Sequence, residues 1–154
     1  LDMKDNTLLL FRFVEKHGKL LYDMIKEESN GRTVFFVHGG TTADTREQIR
    51  HIVESERNSV IVASYGVFSV GVNIRNLHNI IFASPSKSRI RNLQSIGRGL
   101  RKSENKSMAT LYDIADDLSY GSGSNYTLDH FEERKKIYKE EKFEMAEYFV
   151  QLKT

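Results

Sequence analysis

Five short runs of apolar, β-branched and aromatic residues, each separated from the next by a helix-like or polar segment, constrain this chain most. They are Thr7–Phe13 (TLLLFRF), Thr33–Val37 (TVFFV), Ser59–Ala63 (SVIVA), Asn79–Ala83 (NIIFA) and Met108–Ile114 (MATLYDI). The segment Val14–Glu28 has apolar residues at Val14, Leu21 and Ile25, which predicts a helix stopping at Asn30-Gly31. A second helix is expected to carry Ile49, Ile52 and Val53, capped by Thr41 or Asp44, with Asp44 and Glu47 spaced as a capping box. Ser88–Gly99, with Ile90, Leu93 and the adjoining Leu100, lies between the fourth and fifth runs. Short strands apolar on both faces and separated by helices predict an α/β fold with a parallel sheet covered on each side. Dinucleotide-binding, flavodoxin-like and nucleotide-hydrolase folds share that pattern, and the pattern does not choose among them.

Beyond Ile114 the character changes. Asp116-Asp117 leads into the Gly/Ser-rich Ser119–Asn125 (SYGSGSN), after which Thr127 is placed to cap a long charged helix from Leu128 to Leu152. Its apolar positions, Leu128, Phe131, Tyr138, Met145, Phe149 and Leu152, keep three-and-four spacing, interrupted by Lys135 and Lys142. This predicts a surface helix packed along one edge of the domain, with a partner-binding coiled coil as the alternative. The expected division is a lobe over 1–118, a loop over 119–126 and a helical extension over 127–154.

At 154 residues, 39% hydrophobic and 29% charged, the chain suits one folded domain and excludes wholesale disorder. No apolar run is long enough to cross a bilayer, and no secretory signal precedes the first strand. The ordinary-looking segment at Leu1 suggests a piece of something longer. With no cysteine, disulfides, zinc–thiolate sites and thiol nucleophiles are ruled out, and an intracellular location is expected.

The net charge of +2 conceals an asymmetry. Residues 84–106 carry seven basic side chains (Lys87, Arg89, Arg91, Arg98, Arg101, Lys102, Lys106) against Glu104 alone. Such a block implies an anionic partner, either nucleotide phosphates or a nucleic-acid backbone, unless it is merely a solvated basic face. No complete active site is legible. There is no phosphate loop of the G-x-x-x-x-G-K-[ST] type and no G-x-S-x-G elbow, and the five histidines lack metal-ligand spacing, so no metal site is expected.

The informative segment is Gln94–Arg101, QSIGRGLR. Its two arginines lie three apart, hence on one side of a helix end, and Gly97 and Gly99 let the backbone approach a ligand. Guanidinium forks are suited to phosphate oxygens because they stay charged and bind two oxygens at once. This element resembles motif VI, Q-x-x-G-R-x-x-R, of the second RecA-like lobe of superfamily 2 helicases. Ala63–Ile74 (ASYGVFSVGVNI) is similar to motif V, and Leu8–Ile25 to motif IV and its helix. His38-Gly39 followed by Arg46-Glu47 is similar to the intervening HG…R motif. Four elements in order over residues 7 to about 117 carry the resemblance. Within the superfamily, the match is to phage helicases related to enzymes that remodel branched DNA, and it includes the tail from Asn125.

The resemblance implies a RecA-like three-layer α/β/α fold with a C-terminal helical extension. Arg98 and Arg101 would reach the γ-phosphate of ATP, with Mg2+ and most of the nucleotide held by an N-terminal RecA-like lobe. Gln94, Gly71 and Asn73 would serve the nucleotide side of the cleft. Ser64, the amides of Tyr65 and Gly66, Gly39 and the strand-end Arg12 would hold DNA phosphates. The sequence departs from the family twice: Asn73 stands where Asp is common, and Ser64 where Thr is usual. The implied activity is an ATP-dependent DNA helicase acting on single strands within branched or forked DNA, or on RNA–DNA hybrids, in replication, recombination or repair. It implies no membrane partner and, for a phage protein, the host cytoplasm. Two alternatives remain open on residues alone: a non-catalytic basic nucleic-acid-binding module, and an α/β enzyme using His38-Gly39-Gly40-Thr41 as a phosphate loop.

Overall fold

The computed structural model describes residues 4–68, 76–84, 109–119, 121, 123 and 125–151. Its strands are β1 (Thr7–Phe11), β2 (Val34–Val37), β3 (Val60–Ser64), β4 (Asn79–Phe82) and β5 (Thr110–Asp113), each within one of the five expected runs or overlapping it to within a residue. All pair in parallel, in the order β2-β3-β1-β4-β5. Among the described residues the helices are α1 (Lys19–Glu27), α2 (Ala43–Ser55), a single turn α3 (Tyr65–Phe68) and α4 (Tyr126–Glu140).

Alternation along the strands builds two cores. Leu8, Leu10, Ile61, Ala63, Ile80 and Phe82 face α2, whose Ile49 and Val53 pack onto them. Leu9, Phe11, Val60, Val62 and Ile81 face the other way, under Leu21, Tyr22 and Ile25 of α1. Helices on opposite faces follow from the strand order: β1 to β2 runs toward one edge and β2 to β3 runs back, and right-handed crossovers place those connections on opposite sides.

The edge of the sheet where the strands begin is closed by Asn6. Its Nδ2 donates to the carbonyls of Val53, Glu56 and Asn76 at 2.8–2.9 Å, and its Oδ1 accepts from the Ser59 amide at 2.9 Å. Four backbone groups from two connections, β2 to β3 and β3 to β4, therefore meet one fully buried side chain.

Three local expectations are corrected. The helix after β1 starts at Val14 as predicted, but Val14–Gly18 is wound as a π-helical turn. Gly18 there lies on Phe11, and a Cβ at Gly18 would land in the Phe11 ring. Gly18→Ala is therefore expected to lower stability by about 1–3 kcal/mol through overpacking, read as a reduced urea midpoint. The cap of α2 is Thr42, whose Oγ1 accepts from the Thr45 amide at 3.2 Å, and neither Thr41 nor Asp44. Glu47 does not close a capping box. It binds Arg50 at 2.5 Å, which holds its carboxyl below the usual carboxylate range.

The third correction concerns the tail. Its helix is capped by Asn125, not Thr127, and ends at Glu140 instead of reaching Leu152. Lys142 adopts a left-handed conformation (φ 57°), Lys142 N–H donates to the Lys139 carbonyl and Phe143 N–H to that of Tyr138 at 3.0 Å. This is a Schellman stop, with the Phe143 ring folded to 6.3 Å from Tyr138. The chain then turns back beside α4, where Lys135 Nζ reaches Glu147 at 3.0 Å.

α4 packs on the α2 side of the sheet through Ile137 and Tyr138. Arg134, 2% exposed, forms a two-pronged ion pair with Asp113 (2.6 and 2.8 Å), and Tyr138 Oη donates to the same carboxylate at 2.5 Å. Burial, and then the Asp113 charge, push the Tyr138 phenol pKa above its ordinary 10.0. The unfolded phenol ionises first, so stability is full below about pH 10 and falls as pH rises beyond it. A urea midpoint that drops at alkaline pH in the native chain, and drops less in Tyr138→Phe, is the expected result.

Candidate nucleic-acid and nucleotide interface

Because the strands are parallel, every strand ends at the same edge of the sheet, the usual ligand edge of open α/β sheets. Arg12 follows β1, His38-Gly39 follows β2, and Ser64 ends β3 with Tyr65 starting α3 directly. β2, β3 and β1 are adjacent in the sheet. The residues implied for DNA contact, distant in sequence, are thus gathered on three neighbouring strand ends, about 5 Å apart from one strand to the next.

Each is held by a definite local structure. After β2, the turn His38–Thr41 is closed twice: Thr41 N–H donates to the His38 carbonyl at 2.9 Å, and His38 N–H to Thr41 Oγ1 at 3.0 Å. Arg46 Nε donates to the Thr41 carbonyl at 3.1 Å, which gives the HG…R spacing a structural reason: the arginine fastens the turn to α2. The His38 ring lies against Phe36 (centroids 5.3 Å) and its Nδ1 accepts from Gly40 N–H at 3.1 Å. A Cβ on Gly40 would press on that ring at 3.0 Å, whereas one on Gly39 would meet nothing within 4 Å. Gly40 therefore seats the histidine, and Gly39 faces open space.

After β3, Ser64 is 8% exposed and Tyr65 4%, and the Tyr65 ring packs against Phe82 (5.8 Å). The side chain of Tyr65 therefore belongs to the core. Gly66 is exposed and a Cβ there would meet nothing within 4 Å. After β1, the Arg12 amide donates to Ser84 Oγ at 2.9 Å, which ties the β1 and β4 ends together. Ser84 is a residue that sequence reading did not single out; its only signal was its place just past the fourth apolar run. Gly71, Asn73, Gln94, Arg98 and Arg101 lie outside the described residues.

Asp116-Asp117 is tied into the loop before α4. The Asp117 carboxylate accepts from the Ser119 amide at 3.0 Å and from Asn125 Nδ2 at 3.3 Å, and the Ser119 bonds hold it below the usual carboxylate range. Thr127 Oγ1 donates to the Asp116 carbonyl, so the pair fastens the loop to the start of α4. Among the described residues no three His, Asp or Glu side chains converge on a metal-sized site, and no helix is long and apolar enough to cross a membrane.

Residues 2–103 match the family model of the helicase conserved C-terminal domain. The chain belongs to that family. It is 38% identical over 149 residues to the ATP-dependent DNA helicase uvsW of Enterobacteria phage T4, spanning 90% of this chain and 29% of that protein. The crystal structure of T4 UvsW superposes with a TM-score of 0.71 over 90% of this chain and 30% of that one. The C-terminal part of the Fun30 ATPase domain, only 12% identical, shares the fold with a TM-score of 0.60, covering 88% of this chain and 48% of that one. The fold is thus that of the RecA-like second lobe of superfamily 2 helicases, and the family resemblance read from the motifs is borne out.

Proposed function

We propose that this chain is the C-terminal motor lobe of an ATP-dependent DNA helicase or translocase that unwinds or remodels branched DNA in replication, recombination or repair. The observation that carries the reading is the gathering of Arg12, Gly39 and Ser64–Gly66 at one edge of three adjacent strands, in a chain that belongs to the helicase C-terminal family. Exposed glycines at 39 and 66, on the ends of adjacent strands, suit close approach by phosphates, and such contact is indifferent to base sequence. In this reading Arg98 and Arg101 would serve the γ-phosphate of an ATP whose Mg2+ and remaining phosphates are held mainly by an N-terminal RecA-like lobe, with Gln94, Gly71 and Asn73 as further nucleotide-side residues. Closure of the two lobes around the nucleotide then moves this lobe's grip along a strand.

The alternative is a non-catalytic basic module working through the block at 84–106, whose seven basic side chains favour it. ATP turnover separates the two. The chain alone is expected not to hydrolyse ATP, and a protein joining it to its ATP-binding lobe is expected to show DNA-stimulated hydrolysis. Charge removal at Lys87, Arg89 and Arg91 should weaken DNA binding and flatten its salt dependence without removing stimulated turnover. Absence of any DNA-stimulated turnover in the joined protein overturns the motor reading and leaves the basic module.

A further inference from the structure

The end of the central strand carries an aromatic side chain that phosphate binding leaves unused. Register places Phe11, the last residue of β1, beside Ser64. Arg12 and Phe13 follow, past the sheet edge, and both sides of this dipeptide are fixed. The Arg12 amide is held by Ser84 Oγ at 2.9 Å, and the Phe13 carbonyl accepts from the amides of His17 (3.1 Å) and Gly18 (2.8 Å) as the π-helical turn begins. The missing side chain of Gly18 lets that turn lie directly on the Phe11 ring. Phe11 is fully buried, yet Phe13, two residues on, is 53% exposed with the Arg12 guanidinium 4.8 Å from its ring centre. A backbone pinned on both sides thus presents a phenyl ring and a stacked guanidinium to solvent, two residues beyond the strand end that pairs with Ser64.

We propose that Phe13, with Arg12 stacked on it, is a base-stacking platform for single-stranded DNA at this edge of the sheet. The proposal rests on the strand-binding part of the function given above. Every base has a π-face, so an aromatic platform binds without sequence preference, and the guanidinium adds both cation–π attraction and a partner for the adjacent phosphate. A strand whose phosphates lie along Gly39 and Ser64–Gly66 would bring a splayed base within reach of the ring. The π-helical turn is then the element that aims it; such turns are frequent at functional sites.

The chain contains no tryptophan, so Phe13→Trp introduces its one indole at the platform, excited selectively at about 295 nm apart from the seven tyrosines. Its emission is expected to be quenched when oligo(dT) is added to the chain at low salt, and not by a strand of equal length made of abasic sites. Phe13→Ala should weaken oligo(dT) binding about tenfold while leaving the abasic strand unaffected, since one base–aromatic contact is removed. Phe13→Tyr, which keeps the ring, should bind oligo(dT) within about twofold of the native chain. If the native chain binds both strands and Phe13→Ala binds them equally well, or if the abasic strand quenches Phe13→Trp as strongly as oligo(dT), the platform is overturned and phosphate binding survives. If the native chain binds neither strand, the strand-binding reading falls together with it.

Discussion

Arg101→Ala, made in a protein that joins this chain to its ATP-binding lobe, is expected to cut DNA-stimulated ATP turnover by about 10³-fold or more. Nucleotide binding should stay nearly intact. The split follows from the role proposed for a guanidinium aimed at the γ-phosphate: the charge it neutralises is greatest while the phosphoryl group is in transfer, so the interaction is strongest there. Steady-state phosphate release measures the first quantity, and titration with a fluorescent nucleotide measures the second. Arg101→Lys should recover little, because a single ammonium cannot reproduce a planar two-pronged contact. Turnover unchanged in Arg101→Ala removes the finger assignment. A loss of affinity as large as the loss of turnover would instead make Arg101 a ground-state ligand.

Motion demands more than hydrolysis. A nucleotide shifts an equilibrium between open and closed lobes only by its differential affinity for the two. Arginines that touch the γ-phosphate in the closed state alone supply that difference, and strand contacts on the same body turn closure into displacement. The fold brings the strand ends of β2, β3 and β1 to one edge, so the proposed grip is built on turns anchored directly to the sheet. Under the same proposal, Lys87, Arg89, Arg91 and Lys102 would act chiefly through a positive field that raises the local concentration of DNA.

What the sequence made legible was the part governed by period and order. The five strands fall within about two residues of their expected bounds because each is an apolar run that only a doubly covered sheet can bury. The family was readable because QSIGRGLR, the Ser64 segment and His38-Gly39 stand in a fixed order. Details governed by contacts between distant residues were not readable. Nothing around Val14 announces a π-helical turn, and only the folded chain shows the Phe11 ring beneath its last residue, Gly18. Asn6, the side chain that closes the opposite edge of the sheet, looks like any loop asparagine until Val53, Glu56, Asn76 and Ser59 are placed about it. The tail shows both sides of this. Lys142, which broke the apolar spacing, marks the helix stop, whereas Lys135, which also broke it, stays helical and holds the returning chain through Glu147. Periodicity alone does not distinguish a residue that ends a helix from one that decorates it.

Asp113→Ala is expected to be the most destabilising change in the tail, by about 3–5 kcal/mol, because it strips a buried guanidinium of its partner. Arg134 is 2% exposed and the Asp113 side chain 8%, so water cannot replace the missing carboxylate without opening the packing. Tyr138 Oη loses its acceptor in the same step. Asp113→Asn should cost less, since it keeps acceptor capacity while removing the charge. Replacing the set together, Asp113→Leu with Arg134→Met and Tyr138→Phe, should recover most of the loss, because a packed apolar cluster of similar volume carries no desolvation penalty. Urea unfolding of the four proteins measures these differences, and protease cleavage within 119–125 reports whether α4 has left the sheet. The order native, triple variant, Asp113→Asn, Asp113→Ala in falling stability is the expected outcome. If Asp113→Ala costs less than about 1 kcal/mol, the ion pair is not what holds α4, and docking must come from Ile137, Tyr138 and Phe143 against the sheet.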